Sequence, residues 1–265
     1  MEFLGYLASG LIGISLGLIG GGGSILTVPV LVYLFGLNPL LATSYSLFVV
    51  GSTSLVGAVN NFKNGYVRIK TALLFGITSI TTVLLARKFI IPNIPKNIFS
   101  IGSFMVTESK LVMLLFAILM VIASFAMINK EENTLEAKEK KDNNKTVKLL
   151  AFGIGIGFAT GILGAGGGFL LIPTLVILMG LPMKEAVGTS LFIIALNSLF
   201  GFSVDLGHFK IDWIFLLKIT AIAVLGIFIG GIISKKVDGD KLKKGFGYFV
   251  LVMGVFILVK EIFFR

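Results

Sequence analysis

From Phe3 to Phe62 the chain contains no Asp, Glu, Lys or Arg. One transmembrane helix needs about 20 predominantly apolar residues, so this stretch is long enough to cross a membrane more than once. Backbone polar groups inside lipid must be satisfied within the protein, which restricts spanning segments to helices and closed barrels. Because glycine runs and prolines divide the stretch into pieces of helical length, we expect an integral membrane protein built from α-helices.

The composition agrees with lipid as the main surroundings. Hydrophobic residues make up 56% and charged residues 14%, and the mean hydropathy is +1.01, whereas soluble domains carry about 25% charged residues. The formal net charge is +10. Because the basic residues lie in short connections between apolar runs, they fit anionic lipid headgroups better than nucleic acid. We therefore expect the lipid bilayer as a partner and no nucleic acid.

Catalysis and cofactor binding find little support in the sequence. The chain has no Cys, which excludes disulfides, Fe–S clusters and thiolate chemistry. Its one histidine, His208, cannot form a multi-histidine metal site. The sequence shows no pair of buried carboxylates and no HExxH motif, so an intramembrane enzyme is a minor alternative. We expect no enzymatic activity, no metal and no cofactor.

Charge patterning divides the chain into three parts. Residues 130–147 are dense in both charge signs and are expected to form a solvated linker. The predicted domains are an N-terminal transmembrane repeat at 1–129, this linker, and a C-terminal transmembrane repeat at 148–265. Beyond the charge-free stretches, the clearest apolar spans cover residues 71–86, 111–129, 186–204, 211–233 and 245–259.

The two halves of the chain repeat at an offset of 144 residues. The segment Gly17–Pro29 (GLIGGGGSILTVP) aligns without a gap with Gly161–Pro173 (GILGAGGGFLLIP). A shared lipid-like composition would not bring glycine runs and prolines into register. We predict an all-α integral membrane fold of about eight transmembrane helices in two repeated four-helix halves, the first segment of each half broken at its Gly-rich run. Residues 92–110 have no counterpart in the second half and are expected at the membrane interface.

The glycine runs predict an anion site. A helix break inside the membrane leaves free N–H groups at the start of the next helix, and these groups and the helix dipole attract negative charge. Consecutive glycines also form anion-binding nests. Interrupted segments at corresponding places in two halves are the best sequence pointer to a transporter's substrate site. The predicted substrate-binding residues are the two runs and nearby polar side chains: Gly20, Gly21, Gly22, Gly23, Ser24, Thr27, Thr43, Ser44, Ser46, Gly164, Gly166, Gly167, Gly168, Thr189, Ser190 and Asn197.

Other small residues are better explained by helix packing. Gly13 and Gly17, like Gly157 and Gly161, belong to series that recur every four residues, and such spacing makes a flat face for close helix contact. The deeper polar positions, which include Asn197 and Ser198, either line a pathway or bond one helix to another, and the sequence leaves both readings open.

The paired segments GLIGGGGSILTVPVL and GILGAGGGFLLIPTL, followed by ATSYSLF and VGTSLF, resemble the sulfite exporter TauE/SafE family of membrane permeases. The resemblance covers nearly the whole chain. It implies roughly eight spans in a four-plus-four arrangement and transport of sulfur oxyanions or organosulfonates, with sulfite export among the possibilities.

We therefore expect a secondary transporter in the cell membrane that moves a small anion, with a proton or sodium as a possible coupling ion. A passive anion channel and a non-transporting scaffold subunit remain alternatives. Simple alternation of eight spans places both termini and the linker on one side, which we expect to be cytoplasmic. A re-entrant half-helix at each glycine run would change that count and would decide whether the halves run parallel or inverted.

Overall fold

Helices form most of the chain in the computed structural model, which describes residues 2–21, 23–95, 97–101, 104–128, 145–164, 166–234 and 239–263. The predicted helical membrane class is confirmed. The described part contains these α-helices: α1 Glu2–Ile19, α2 Ser24–Tyr33, α3 Pro39–Lys63, α4 Ile69–Leu85, α5 Glu108–Ile128, α6 Lys145–Leu163, α7 Gly168–Met179, α8 Met183–Asp205, α9 Trp213–Ile233 and α10 Gly239–Phe263.

The segment between α4 and α5 departs from the all-α prediction. A π-helix at Ala86–Ile90 continues α4, and a single 3₁₀ turn at Ile91–Asn93 ends it. The two prolines of residues 92–95 lack the N–H that a continuing helix needs. An antiparallel hairpin follows, with β1 at Asn97–Ile101 and β2 at Phe104–Thr107. Its Ile, Phe, Val and Thr content is typical of strands.

Five of the described helical segments are long and apolar enough to cross a membrane: Pro39–Lys63, Ile69–Asn93, Glu108–Phe125, Met183–Asp205 and Trp213–Ile233. Three shorter apolar stretches lie in α1, α2 and α6. Large apolar side chains face outward, as Ile214 does with 70% exposure, which is the surface that lipid covers. The chain is thus a multi-pass membrane protein, and the count of about eight spans stays a prediction.

The centre of the bundle is the antiparallel pair α3 and α8. Gly51 packs against Leu199 and Gly57 against Leu191, so residue numbers rise along one helix as they fall along the other. Asn38 caps α3 by accepting a hydrogen bond from the Leu40 N–H at 3.0 Å, immediately before a proline at the first helical position.

Corresponding helices of the two halves keep the offset of the sequence repeat. Helices α2 and α7, α3 and α8, and α4 and α9 begin 144 residues apart. Packing contacts recur at the same offset: Gly57 packs against Leu191 and Ile227, and Gly201 packs against Leu47 and Val83. Reciprocal contacts of this kind are what a two-fold relation produces. Because the counterparts α3 and α8 run antiparallel, this relation inverts one half with respect to the other.

Two backbone hydrogen bonds repeat the same relation at opposite ends of the bundle. The Asp212 N–H donates to the Tyr45 hydroxyl at 2.6 Å, and the Arg68 N–H donates to Thr189 Oγ1 at 3.0 Å. In both cases the donor immediately precedes the fourth helix of one half, and the acceptor lies near the start of the central helix of the other half. These bonds hold α9 to α3 and α4 to α8.

The outer pairs α1–α9 and α4–α6 pack in parallel through small residues. Gly13 lies against the backbone of Ala223, and Gly157 lies against the backbone of Ser79. A side chain at either glycine would collide with main-chain atoms, so close helix contact requires glycine there. The packing role predicted for these glycines is confirmed.

Helix directions place the termini and the linker at opposite ends of the bundle. We call the end with the β-hairpin the hairpin end. Helices α1 and α5 begin there. Helix α10 ends there, because its Lys260 lies over the ring of Tyr33, the last residue of α2. We call the other end, which holds Arg68 and the starts of α6 and α8, the basic end. Helix α5 ends at Ile128 and α6 begins at Lys145, both at the basic end. The expectation that termini and linker share one side is therefore wrong, because α2 returns along α1 without a full crossing.

Candidate functional site

The first glycine run reverses the chain direction between α1 and α2. Gly20 adopts a left-handed φ of +79°, a conformation that favours glycine. Gly23 then packs against Ser15 and Leu16 of the preceding helix, so α2 folds back along α1. Gly22 lies outside the described residues.

The second run makes the corresponding turn between α6 and α7. Gly164, Gly166 and Gly167 have φ values of +66°, +66° and +68°, and three left-handed residues so close together are accessible only to glycine. Gly167 packs against Thr160 and Ile156 of the preceding helix. The turn thus repeats the reversal of the first half.

The two runs meet in the middle of the bundle. A Cβ added to Gly168 would lie 2.5 Å from the Gly21 Cα, and one added to Gly21 would lie 2.6 Å from the Gly168 Cα. One added to Gly166 would lie 2.8 Å from Val50 Cγ1 and 3.0 Å from Ile194 Cγ2. Because Val50 and Ile194 are central residues of α3 and α8, the runs meet near mid-depth, with the starts of α2 and α7 beside each other.

The predicted polar residues are buried, and two of them form hydrogen bonds to the runs themselves. Ser46 Oγ donates to the Gly164 carbonyl at 2.7 Å, across the two halves, and Ser24 Oγ donates to the Gly21 carbonyl at 2.8 Å. Gly164 packs directly against Thr43. These hydroxyls fix the turns.

Other predicted residues lie away from the meeting point or bond locally. Thr189 accepts the Arg68 N–H at the basic end, and Ser190 Oγ donates to the Val187 carbonyl at 2.9 Å. Thr27 Oγ1 and Ser44 Oγ are buried and have no hydrogen-bond partner in the described part of the chain.

Ser198, one of the deeper polar positions but not one of the predicted substrate-binding residues, lies at the meeting point. Its Oγ lies 3.3 Å from the position that a Cβ on Gly166 would occupy. It is fully buried and has no hydrogen-bond partner among the described residues. The neighbouring Asn197 accepts a hydrogen bond from Ser79 Oγ at 2.8 Å, while its Nδ2 is likewise unpartnered there. The alignment of Ser54 with Ser198 was the sequence signal for this position.

Two ion pairs tie α4 to α8, one at each end. At the basic end, Arg68 binds both carboxylate oxygens of Glu185 at 2.6 Å, and this hydrogen bonding raises the pKa of Arg68. At the hairpin end, Arg87 in the π-helix donates to Asp205 at 2.8 Å, with both side chains buried. Asp205 is the last residue of α8.

An open apolar pocket lies apart from the meeting point, between α6 and α7. Its volume is about 380 Å³, and its lining residues are Ala151, Phe152, Gly155, Ile156, Leu170 and Thr174. At the meeting point itself, the described residues are in close contact.

Comparisons with known proteins match most of the chain to membrane transporter proteins. A probable membrane transporter protein of Xylella fastidiosa (strain 9a5c) is 27% identical over 95% of this chain and 92% of its own length. The probable membrane transporter protein YunE of Bacillus subtilis is 27% identical over 99% of this chain and all of its own length. The probable membrane transporter protein MJ0441 of Methanocaldococcus jannaschii is 35% identical over 41% of this chain. No solved structure gives a significant match.

The family model for the sulfite exporter TauE/SafE matches residues 6–257, which is nearly the whole chain. This is a family of membrane transporters rather than enzymes. The chain therefore belongs to the TauE/SafE sulfite exporter family and is a multi-pass membrane transporter protein.

Proposed function

We propose that the protein is a secondary transporter of the cell membrane that moves a small anion, a sulfur oxyanion or organosulfonate such as sulfite, between its two inverted halves. One observation carries the proposal: the two glycine runs meet beside Val50 and Ile194, in the middle of the antiparallel pair α3 and α8. In transporters built from inverted repeats, substrate sites lie near the bilayer midplane, where interrupted helices meet.

The chemistry of the meeting point suits an anion. The N-terminal ends of α2 and α7 lie beside each other, and each helix end carries partial positive charge and N–H groups directed along its axis. Ser198 Oγ and Asn197 Nδ2 supply unpartnered donors within the described part of α8. A ligand that accepts hydrogen bonds would remove the cost of leaving such donors buried.

The proposed layout has three fully crossing helices and one re-entrant helix pair in each repeat. The crossing helices are α3, α4 and α5 in residues 1–129 and α8, α9 and α10 in residues 148–265, and the re-entrant pairs are α1–α2 and α6–α7. The short helices α2 and α7, of 10 and 12 residues, are half-helices that reach from the glycine run to one membrane surface. The halves would rock about the meeting point and open it to one side at a time.

We assign the basic end to the cytoplasm, because the connections there contain most of the 23 Lys and Arg residues. Since the chain has no Cys, single cysteines can report the orientation in intact cells. Asn64 is exposed at the basic end and His208 at the hairpin end. A membrane-impermeant maleimide should label His208→Cys in intact cells and Asn64→Cys only after permeabilisation. The reverse pattern would contradict the assignment.

Transport is tested with purified protein in vesicles, screened for uptake of sulfite, sulfate, thiosulfate, sulfoacetate and chloride, with and without a proton or sodium gradient. Saturable uptake of a sulfur anion against its gradient is expected. Flux that never saturates and never runs uphill would indicate a channel, and no flux of any anion would favour a scaffold subunit.

A matched pair of glycine variants links transport to the meeting point. Gly166→Ala and Gly36→Ala place the same side chain at nearly the same left-handed φ, +66° and +71°. A Cβ at Gly36 meets nothing within 4 Å, whereas one at Gly166 enters the space between α3 and α8. Gly166→Ala should abolish uptake and Gly36→Ala should retain it. Equal uptake by both variants would show that the substrate site is not at the meeting point.

A further inference from the structure

Arg87 is a buried cation whose hydrogen-bonding capacity is mostly unused. Its Nη1 donates to Asp205 Oδ2 at 2.8 Å, and the side-chain exposures are 0% for Arg87 and 4% for Asp205. Its Nε and Nη2 are also buried and have no hydrogen-bond partner among the described residues. Two charged donors are thus left unsatisfied in a region where unsatisfied donors are costly.

The Nε and Nη2 groups form the edge of a guanidinium that can donate two parallel hydrogen bonds to an oxyanion. Arg68, the other arginine that pairs with α8, shows this geometry. Its Nε and Nη2 donate to the two carboxylate oxygens of Glu185, each at 2.6 Å. Two parallel N–H groups fit two oxygens of a carboxylate, sulfonate or phosphate. On Arg87 no described residue binds the same edge. A lysine would satisfy Asp205 equally well through one nitrogen, so the pair alone does not account for a guanidinium.

The helical segment that contains Arg87 packs against α6, the helix that leads into the second glycine run. Arg87 lies in the π-helix Ala86–Ile90, and π-helical turns are frequent at functional sites. The preceding Ala86 packs against Gly161, three residues before the run begins at Gly164. The ion pair breaks the two-fold relation, because the positions 144 residues away hold Gly231 and Asn61. The other half has no equivalent pair.

We propose that the Nε and Nη2 edge of Arg87 is a binding site for the transported oxyanion at the hairpin end of the pathway. The proposal rests on the proposed function, because a buried edge becomes reachable only when the halves move. Asp205 binds the guanidinium through Nη1 and leaves the Nε and Nη2 edge available to the ligand. The ligand class is an anion that presents two oxygens, such as a sulfonate, and not a halide.

The test measures ligand binding by the full-length protein in detergent, through the rise in melting temperature with methanesulfonate, acetate or chloride. Wild type should be stabilised by methanesulfonate. Arg87→Lys keeps the charge opposite Asp205 but removes the edge, and we expect it to lower methanesulfonate affinity by about tenfold or more, the effect of losing a hydrogen bond to a charged group. Arg68→Lys, a change in the other pair between the same helices, should bind like wild type.

The outcomes separate this inference from the proposed function. Unchanged methanesulfonate affinity in Arg87→Lys, or no stabilisation of wild type by any oxyanion, would overturn the Arg87 site. Preference for acetate over methanesulfonate would keep the site and assign it to carboxylates. Binding that depends on Arg87 together with no transport in vesicles would refute the proposed function alone.

A second variant covers the case in which Arg87→Lys does not accumulate. Asp205→Asn leaves the Arg87 edge intact and removes the negative charge beside it. An incoming anion then meets less repulsion, so methanesulfonate affinity should rise. Affinity that stays the same or falls in Asp205→Asn would contradict binding at Arg87.

Discussion

The contact between the two glycine runs makes a quantitative prediction about Gly168→Ala. The added Cβ would lie 2.5 Å from the Gly21 Cα, whereas carbon atoms in ordinary contact are about 3.5–4.0 Å apart. The two main chains must therefore separate by roughly 1 Å. Because the obstacle is backbone rather than a flexible side chain, we expect a cost near the upper part of the ~1–3 kcal/mol range for overpacked sites.

The control is Gly155→Ala, which makes the same change at an exposed helical position where a Cβ meets nothing within 4 Å. Alanine stabilises a helix interior relative to glycine, by about 0.5–1 kcal/mol in soluble helices. Gly155→Ala should therefore keep or slightly raise the melting temperature. The expected loss in Gly168→Ala corresponds to a fall of roughly 4–12 °C, taking 2–4 °C for each kcal/mol in a chain of this size.

The assay is thermal unfolding of the purified protein in detergent, followed by vesicle uptake for each variant. Gly21→Ala should behave like Gly168→Ala, and the double variant should lose less than the sum of the two. One displacement of the two main chains relieves both collisions, so the two costs are coupled. Additive losses, or a Gly168→Ala variant as stable as Gly155→Ala, would show that the runs do not touch.

Three further predictions concern side chains. Asp205→Leu should cost about 3–5 kcal/mol, because it leaves a buried guanidinium unpaired, and the double variant with Arg87→Leu should recover most of that stability in a thermal double-mutant cycle. Ser198→Ala should reduce uptake in vesicles without lowering the melting temperature, while Ser203→Ala, an exposed change on the same helix, should have no effect. Arg68→Ala should change the melting temperature little, and less at high salt, because its ion pair is exposed.

The helix positions were predictable because each pattern of apolar and glycine residues occurs in both halves, so each half supports the boundaries in the other. The offset of 144 residues that aligns the glycine runs also separates the starts of α3 and α8 and of α4 and α9. Helix direction was not predictable from the same data. A repeat period does not reveal whether α2 crosses the membrane. Whether it does so determines which end of the bundle holds the linker. The return of α2 along α1, seen in the packing of Gly23 against Ser15, settles it.

The candidate site was predictable where backbone conformation dictates residue type. Three left-handed residues within four positions require glycine, so Gly164, Gly166 and Gly167 stand out in the sequence. The pair of Arg87 and Asp205 was not predictable, because its members lie 118 residues apart in the sequence. Its burial depends on how α4 and α8 pack, and no local pattern contains that information.

The two ends of the pathway can differ in anion binding only at positions where the two halves carry different residues. A symmetric pair of halves treats both sides of the membrane alike, so any preference for binding on one side must come from residues without an equal counterpart. Arg87 faces Asp205, whereas the matching positions are Gly231 and Asn61. An oxyanion bound at Arg87 would stabilise only the state that opens toward the hairpin end. By linkage, it would shift the equilibrium between the two openings by its difference in affinity for them. Arg87→Lys should therefore make that equilibrium insensitive to an oxyanion at this position while the packing of the helices stays intact.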